Sequence, residues 1–336
     1  MSSTMVNLAS RAGNEALSVN PTVADIDITT AASDFLWMIF CVMAATTLGV
    51  AFWAGFTVPR GNRTFHNLTV MITATASIAY FCMASDLGGT PIPVEFRAGD
   101  LRSATGGTPT RSIWYARYID WTITTPLLLL ELLLVTGLPL SDIVITIFAD
   151  LVMIITGLIG SLVSSTYKWG LFTIGCFAMF YVFYMLYGPA RASSKQLGSE
   201  LSRTYLIGAS ILSFLWFLYP ICWGLADGSN TISPTGEMVF YGVLDLLAKP
   251  VFAIIHLVSL RGIDYSALQL SSGKYSEFAH SSSLEKGGAA AAGTGAANHR
   301  LSEATVAHHP TTTEKNGETA RAAPETHNDQ TTLDGH

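Results

Sequence analysis

Seven separate stretches of mostly apolar residues, each long enough to cross a bilayer, constrain this chain more than any other feature. They run over roughly 35–57, 67–87, 112–135, 141–163, 169–189, 203–225 and 236–260. A membrane-spanning helix needs about 20 such residues. The composition agrees, because half of the 336 residues are hydrophobic and only 12% are charged. A soluble chain is usually about one quarter charged. The fold class expected is therefore an all-α membrane protein, a bundle of seven transmembrane helices lying in a lipid bilayer. The net charge of −6 comes with no basic run, so nucleic acid is not a partner. Four scattered cysteines, Cys41, Cys82, Cys176 and Cys222, show no CxxC spacing and signal neither a disulfide framework nor a metal site.

The segments between the stretches set the expected orientation and domain limits. The first 30 residues lack the charged start and apolar core of a signal peptide, so the first apolar stretch is expected to direct insertion. Most connections are short, such as GLPLSD after the third stretch. The long one, 88–111, contains PIPVEFRAG, which could form a small hairpin. Arg60, Arg63, Arg191, Lys195, Arg203 and Arg261 lie at one end of the bundle. Arg97, Arg102, Arg111 and Lys168 lie at the other, together with several acids. The rule that basic residues stay inside then puts the N-terminus outside and the C-terminus in the cytoplasm. The last segment has few large apolar residues to offset its chain entropy and reads as a disordered tail, its histidines solvated rather than ligating. The expected organisation is an extracellular segment over 1–33, a seven-helix domain over 34–262 and a cytoplasmic tail over 263–336.

Charges inside the apolar stretches point to function. The third stretch contains RYIDWTITTPLLLLELL, residues 117–133. At 100° per residue, Arg117, Asp120, Thr124 and Glu131 share a narrow arc, with Glu131 roughly 16 Å beyond Asp120 along the axis. The seventh stretch holds Asp245 and Lys249, four residues apart and so on one face. A lysine at mid-depth costs about 2.5–3.5 kcal/mol on insertion scales, so Lys249 must be paired or modified. Asp245 and Asp120 lie at similar depth and can both approach it. An ion pair that merely stitches two helices together is the plainer reading of Asp245 and Lys249. The whole stripe of Arg117, Asp120 and Glu131 suits a proton or ion path better. Trp121 and Trp216 sit in mid-stretch rather than at an interfacial belt, with Tyr118, Phe172, Tyr219 and Trp223 nearby in sequence or register. An apolar slot walled by aromatics and ending at an amine suits a long polyene aldehyde bound through Lys249.

RYIDWTITTPLLLLELL, WFLYPICW and LDLLAKP closely resemble the microbial (type I) rhodopsins, in wording the fungal opsins near the bacteriorhodopsin-like proton pumps. The resemblance covers about residues 33–262. It implies all-trans retinal as cofactor, with Lys249 as the Schiff-base lysine, Asp245 as counterion and Asp120 as primary proton acceptor hydrogen-bonded to Thr124. It makes Arg117 the divider of the outer half-channel, Glu237 an outer release acid and Glu131 the cytoplasmic donor. Trp121, Trp216, Tyr219 and Trp223 match the retinal cage, to which Tyr118, Met153 and Phe172 add. Pro220 matches the proline of the sixth helix, Thr125 and Asp150 the pair joining the third and fourth helices, and Tyr80 the second-helix tyrosine. Three positions depart from the pattern: Glu131 stands where the haloarchaeal pump has Asp, Asp227 is offset by one residue from the second outer acid, and Phe172 replaces a tryptophan.

The resemblance implies a light-driven outward proton pump and no enzyme. Its rival is a sensory photoreceptor rhodopsin with a slow photocycle and little net transport. A chloride pump is disfavoured by the acid at Asp120, and a non-retinal relative by the presence of Lys249. Protons are the cargo and the plasma membrane the expected location; the chain leaves room for a homo-oligomer and for a cytoplasmic partner reached through the tail.

Overall fold

The computed structural model describes residues 14–94, 108–261, 263, 268 and 270. Among the described residues, seven helices are long and apolar enough to cross a membrane. They are α1 Thr30–Thr57, α2 Thr64–Ala84, α3 Tyr115–Thr136, α4 Leu140–Leu162, α5 Lys168–Gln196, α6 Ser199–Gly228 and α7 Pro234–Ser259. Each packs on the next, and α7 returns to α1 and α6, so the bundle closes on itself. The α3 and α7 helices are the most enclosed. That is where the sequence concentrates charge. The proposed tail, 263–336, lies almost wholly outside the described residues.

Local chemistry sets the helix limits. The α1 helix starts five residues before its apolar stretch, because the Thr29 hydroxyl accepts a hydrogen bond from the Ala32 amide at 3.3 Å. Ser233 caps α7 in the same way through Gly236 at 3.1 Å, with Pro234 at the first helical position. Three helices contain one widened π turn each: Leu186–Ala190 in α5, Gly224–Gly228 in α6 and Leu247–Val251 in α7. Pro189 and Pro250 lie inside two of these turns. Proline has no amide hydrogen and crowds the carbonyl four residues back, and a wider turn relieves both problems. Pro126 and Pro220 are accommodated within ordinary α-helix.

The connection between α2 and α3 differs from the small hairpin expected within PIPVEFRAG. Strand β1, Thr90–Pro93, pairs antiparallel with strand β2, Thr110–Ile113, with Thr90 opposite Ile113 and Pro93 opposite Thr110. Residues 95–107 lie outside the described residues. The strand partner is therefore the chain on its return, and this delays the start of α3 from the expected 112 to Tyr115. Proline placement explains the register. Val94 donates to the Pro109 carbonyl at 2.9 Å, so by alternation Pro91 and Pro93 occupy the positions that need no amide donor. On the other edge of β2, Ile26 bonds the Thr110 carbonyl at 2.9 Å and accepts from Ser112 at 3.0 Å. The N-terminal segment thus docks on β2 through one parallel bridge and is tied to the end of α2 by Asn20, which donates to the Ser85 carbonyl at 2.9 Å.

Just past α2, Asp86 adopts a left-handed backbone conformation (φ 55), with its carboxyl beside that of Asp27 in the N-terminal segment. Two neighbouring carboxyls disfavour a second negative charge. Burial, and then the charge of Asp27, push the Asp86 carboxyl up to about 6. The native state therefore keeps a proton that the unfolded chain has already released above about pH 4, and this contribution to stability is lost as pH rises through about 6. The thermal midpoint of the detergent-solubilised protein, followed by circular dichroism, should carry a component that falls across this window. Asp86→Asn should remove it.

Candidate functional site

Lys249 lies in the π turn of α7 and is 1% exposed. Its Nζ is 2.5 Å from Asp120 Oδ2 on α3 and 3.2 Å from Asp245 Oδ2 one turn back on α7. The two acids are held differently. Asp245 also receives the Tyr80 hydroxyl from α2 at 2.7 Å and the Tyr219 hydroxyl from α6 at 2.6 Å. Asp120 Oδ1 has no hydrogen-bond partner among the described residues. Both oxygens of Asp245 are therefore engaged, while only one oxygen of Asp120 is. The Thr124 hydroxyl lies beside Asp120 and donates to its backbone carbonyl at 2.9 Å, the back-bond a helical threonine makes within its own helix.

A pocket runs from Lys249 and Asp245 between α3, α4, α5 and α6. Trp121, Trp216, Tyr219 and Trp223 form much of its wall, with Tyr118, Thr125, Met153 and Phe172 completing it. Trp121 meets Tyr118 and Tyr219 edge-on at 5.2 Å each. Phe172 stacks on Trp223 at 4.9 Å, so the replaced tryptophan position still closes the wall. The Trp223 indole donates to the Gly157 carbonyl at 3.2 Å. Thr125 bonds Asp150 at 2.7 Å, fixing α3 to α4 beside Trp121. Tyr80 is not part of the cavity wall; it acts through Asp245.

Glu131 lies apart from this cluster, fully buried among Leu128, Leu129, Leu132 and Leu133. Its Oε1 accepts from the Thr69 hydroxyl on α2 at 2.8 Å, and Oε2 has no partner among the described residues. Toward the hairpin end, Arg117 is 2% exposed, bonds Glu237 and Met238 of α7, and lies over the Tyr241 ring at 4.3 Å.

Several members of this arrangement were not evident from sequence. Arg111, on β2, is buried and bonds the other oxygen of Glu237 at 2.7 Å and the Ile232 carbonyl at 2.7 Å. Asp227 is brought inward by the π turn Gly224–Gly228, which inserts one residue and explains its offset. There it accepts from the Tyr118 hydroxyl at 2.6 Å. Lys168 donates to the Asp227 carbonyl at 3.1 Å. Tyr241 packs edge-on against Trp121 at 5.1 Å. Its position one turn before Asp245 was the available signal for it.

An apolar, aromatic-walled slot that ends at one lysine amine suits a long polyene aldehyde. Residues 30–263 match the family model described as bacteriorhodopsin-like protein. The chain belongs to that family. It is 50% identical over 265 residues to protein FDD123 of Trametes versicolor, covering 79% of this chain and 90% of the relative. The opsin-like protein carO of Fusarium fujikuroi is 47% identical over 262 residues, covering 76% of this chain and 84% of the relative. Among solved structures, the light-driven proton pump rhodopsin CsR of Coccomyxa subellipsoidea is 36% identical with a TM-score of 0.65, covering 69% of this chain and 98% of that one. This rhodopsin is accordingly a multi-pass membrane protein whose cofactor is retinal, a light-driven transporter or photoreceptor and not an enzyme.

An aldehyde held as a Schiff base at Lys249 would need the free amine. Lys249→Ala, reconstituted with retinal, should show no visible absorption band while its far-ultraviolet circular dichroism stays helical. A coloured pigment from this variant would place the attachment elsewhere.

Proposed function

We propose that this rhodopsin is a light-driven outward proton pump. The observation that carries the reading is the placement of two unlike buried carboxyls on α3: Asp120 against the Lys249 amine, and Glu131 eleven residues further along in an apolar surround. A sensor needs the first; only a transporter has use for the second. The pumping activity of the Coccomyxa relative supports the same reading.

Retinal, bound at Lys249, supplies the light-driven isomerisation that turns the Lys249 nitrogen relative to its partners. In the dark, Asp120 and Asp245 hold a proton on that nitrogen against the cost of burial. When the contact is disturbed, Asp120 receives the proton, since it is the acid in hydrogen-bond contact with the Lys249 nitrogen and both oxygens of Asp245 are engaged by tyrosine hydroxyls. Arg117 stands between this cluster and Glu237, and a shift of its guanidinium toward one acid or the other favours release at the hairpin end. Glu131 then returns a proton to Lys249 from the opposite side, because a carboxyl in an apolar surround is far less costly neutral than charged. Each cycle moves one charge against about 2.3 kcal/mol per 100 mV of membrane potential.

The hairpin end is taken as outside. The basic residues that blurred the sequence-based orientation include Arg111 and Lys168, which are buried at 3% and 4% exposure and are not loop charges. Removing them from the count strengthens the bias of exposed Lys and Arg toward the other end.

Illumination of cells expressing the protein should acidify an unbuffered medium, and a protonophore should abolish the signal. Asp120→Asn should give a red-shifted pigment with no acidification, because it removes one of the two negative charges on the Lys249 proton and its acceptor. A sensory rhodopsin would give no pH signal even in the unmodified form.

Flash photolysis tests Glu131 directly. In the unmodified protein, the blue-shifted transient that reports a deprotonated Lys249 nitrogen should decay within milliseconds and almost independently of external pH. Glu131→Gln should slow that decay by roughly ten- to a hundredfold, make it pH-dependent, and respond to azide as an external proton carrier. Slow, azide-accelerated decay in the unmodified protein would favour the sensory reading.

A further inference from the structure

The α3 and α7 helices meet a second time, seven residues beyond Lys249, at a contact the pumping scheme does not use. His256 is 2% exposed, and its Nε2 is 3.1 Å from the backbone carbonyl oxygen of Glu131. A carbonyl oxygen only accepts, so Nε2 must carry the hydrogen, and in the neutral ring the lone pair is on Nδ1. The ring is held on several sides. Phe252 stacks on it at 5.6 Å, and Phe65 of α2 closes edge-on at 5.9 Å. Nδ1 faces Gly208 of α6, where a β-carbon would stand 3.8 Å away. Residues of four helices therefore fix one ring in one orientation and one tautomer.

Glu131 is consequently held twice, its carboxyl by Thr69 of α2 and its main chain by His256 of α7. The second hold has a property the first lacks, because α7 also carries Lys249, roughly 10 Å away along the same axis. The helix that bears the proton-accepting nitrogen thus sets the depth of the group read as its donor. Phenylalanine or leucine at 256 would fill the same space between Phe65 and Phe252, but only a side chain with a hydrogen-bond donor can anchor that carbonyl.

We propose that His256 is a positioning residue for proton return, fixing the Glu131 main chain to the Lys249 helix so that the donor keeps its distance from the Lys249 nitrogen when α7 shifts. The assignment rests on the reading of Glu131 as donor.

Two substitutions separate the hydrogen bond from the packing. His256→Phe keeps an aromatic ring and removes the N–H; His256→Gln shortens the ring contact and keeps an N–H. Misplacing a reacting group by about 1 Å costs up to roughly a hundredfold in rate. His256→Phe should therefore slow decay of the blue-shifted transient by roughly ten- to a hundredfold, make it dependent on external pH, and allow azide to restore it. His256→Gln should stay close to the unmodified protein in rate and pH profile. A readout independent of turnover is nitrogen-15 NMR of the dark, histidine-labelled protein, which should show one histidine with protonated Nε2 and bare Nδ1 whose signal is absent from both variants. If His256→Phe decays at the unmodified rate while Glu131→Gln is slow, His256 only fills space and the proposal fails, with the donor reading intact. If Glu131→Gln leaves the decay unchanged, the donor reading falls and this one with it. A bare Nε2 in the unmodified protein would overturn the proposal without any variant, which also covers the case in which His256→Phe forms no pigment.

Discussion

A lysine and two aspartates share one buried point between α3 and α7, and the remainder of the site is arranged around satisfying them. Each of the three is about 1% exposed. Removing the lysine would leave two buried carboxylates without their cation, which costs several kcal/mol where replacing a whole ion pair by apolar groups need not. The hydroxyls of Tyr80 and Tyr219 extend the cluster to α2 and α6. Four of the seven helices thus converge on a few polar atoms. Because charge is confined there, the adjoining cavity can be lined almost entirely by aromatic and aliphatic side chains, which suits a hydrocarbon chain and excludes water from the lysine.

The same logic recurs at the hairpin end with the signs reversed. Glu237 is fully buried and has an arginine on each oxygen, Arg111 on one and Arg117 on the other. Arg117 belongs to α3, but Arg111 belongs to β2, so the short sheet contributes to the charge network and does not merely connect helices. The N-terminal segment that pairs with β2 at Ile26 holds the Arg111 backbone in place. A chain of ordinary strand hydrogen bonds therefore positions a buried guanidinium.

Helical periodicity made the heart of the site legible. Asp245 and Lys249 are four residues apart, and Arg117, Asp120 and Glu131 share one face, so spacing alone brings their helices together through the cost of isolated charge. What spacing could not reveal depends on breaks in that period or on chain returning from elsewhere. Asp227 faces inward only because a π turn adds a residue to α6. Arg111 looked like a loop cation, and its true setting follows from the pairing of β1 with β2, which local sequence does not specify. His256 is one polar residue in an apolar run; its partner is a backbone carbonyl, and a carbonyl leaves no mark in a sequence. Thr69, whose hydroxyl finds Glu131, carried no signal either, since threonines are frequent throughout these helices.

The π turns also divide the bundle mechanically. Among the described residues, α5, α6 and α7 each contain one, while α1 to α4 contain none. A widened turn stores one residue of slack, and such slack can be taken up or passed along the axis much as a dislocation glides through a crystal, with little net loss of backbone bonding. Lys249 stands inside one of these defects. Torque applied at that residue has a compliant path through the half of the bundle that contains the slack and a stiff wall in the other half. Asp120 lies on α3 in the stiff half, whereas Glu131, on the same helix, is also tied by its main chain to α7 through His256.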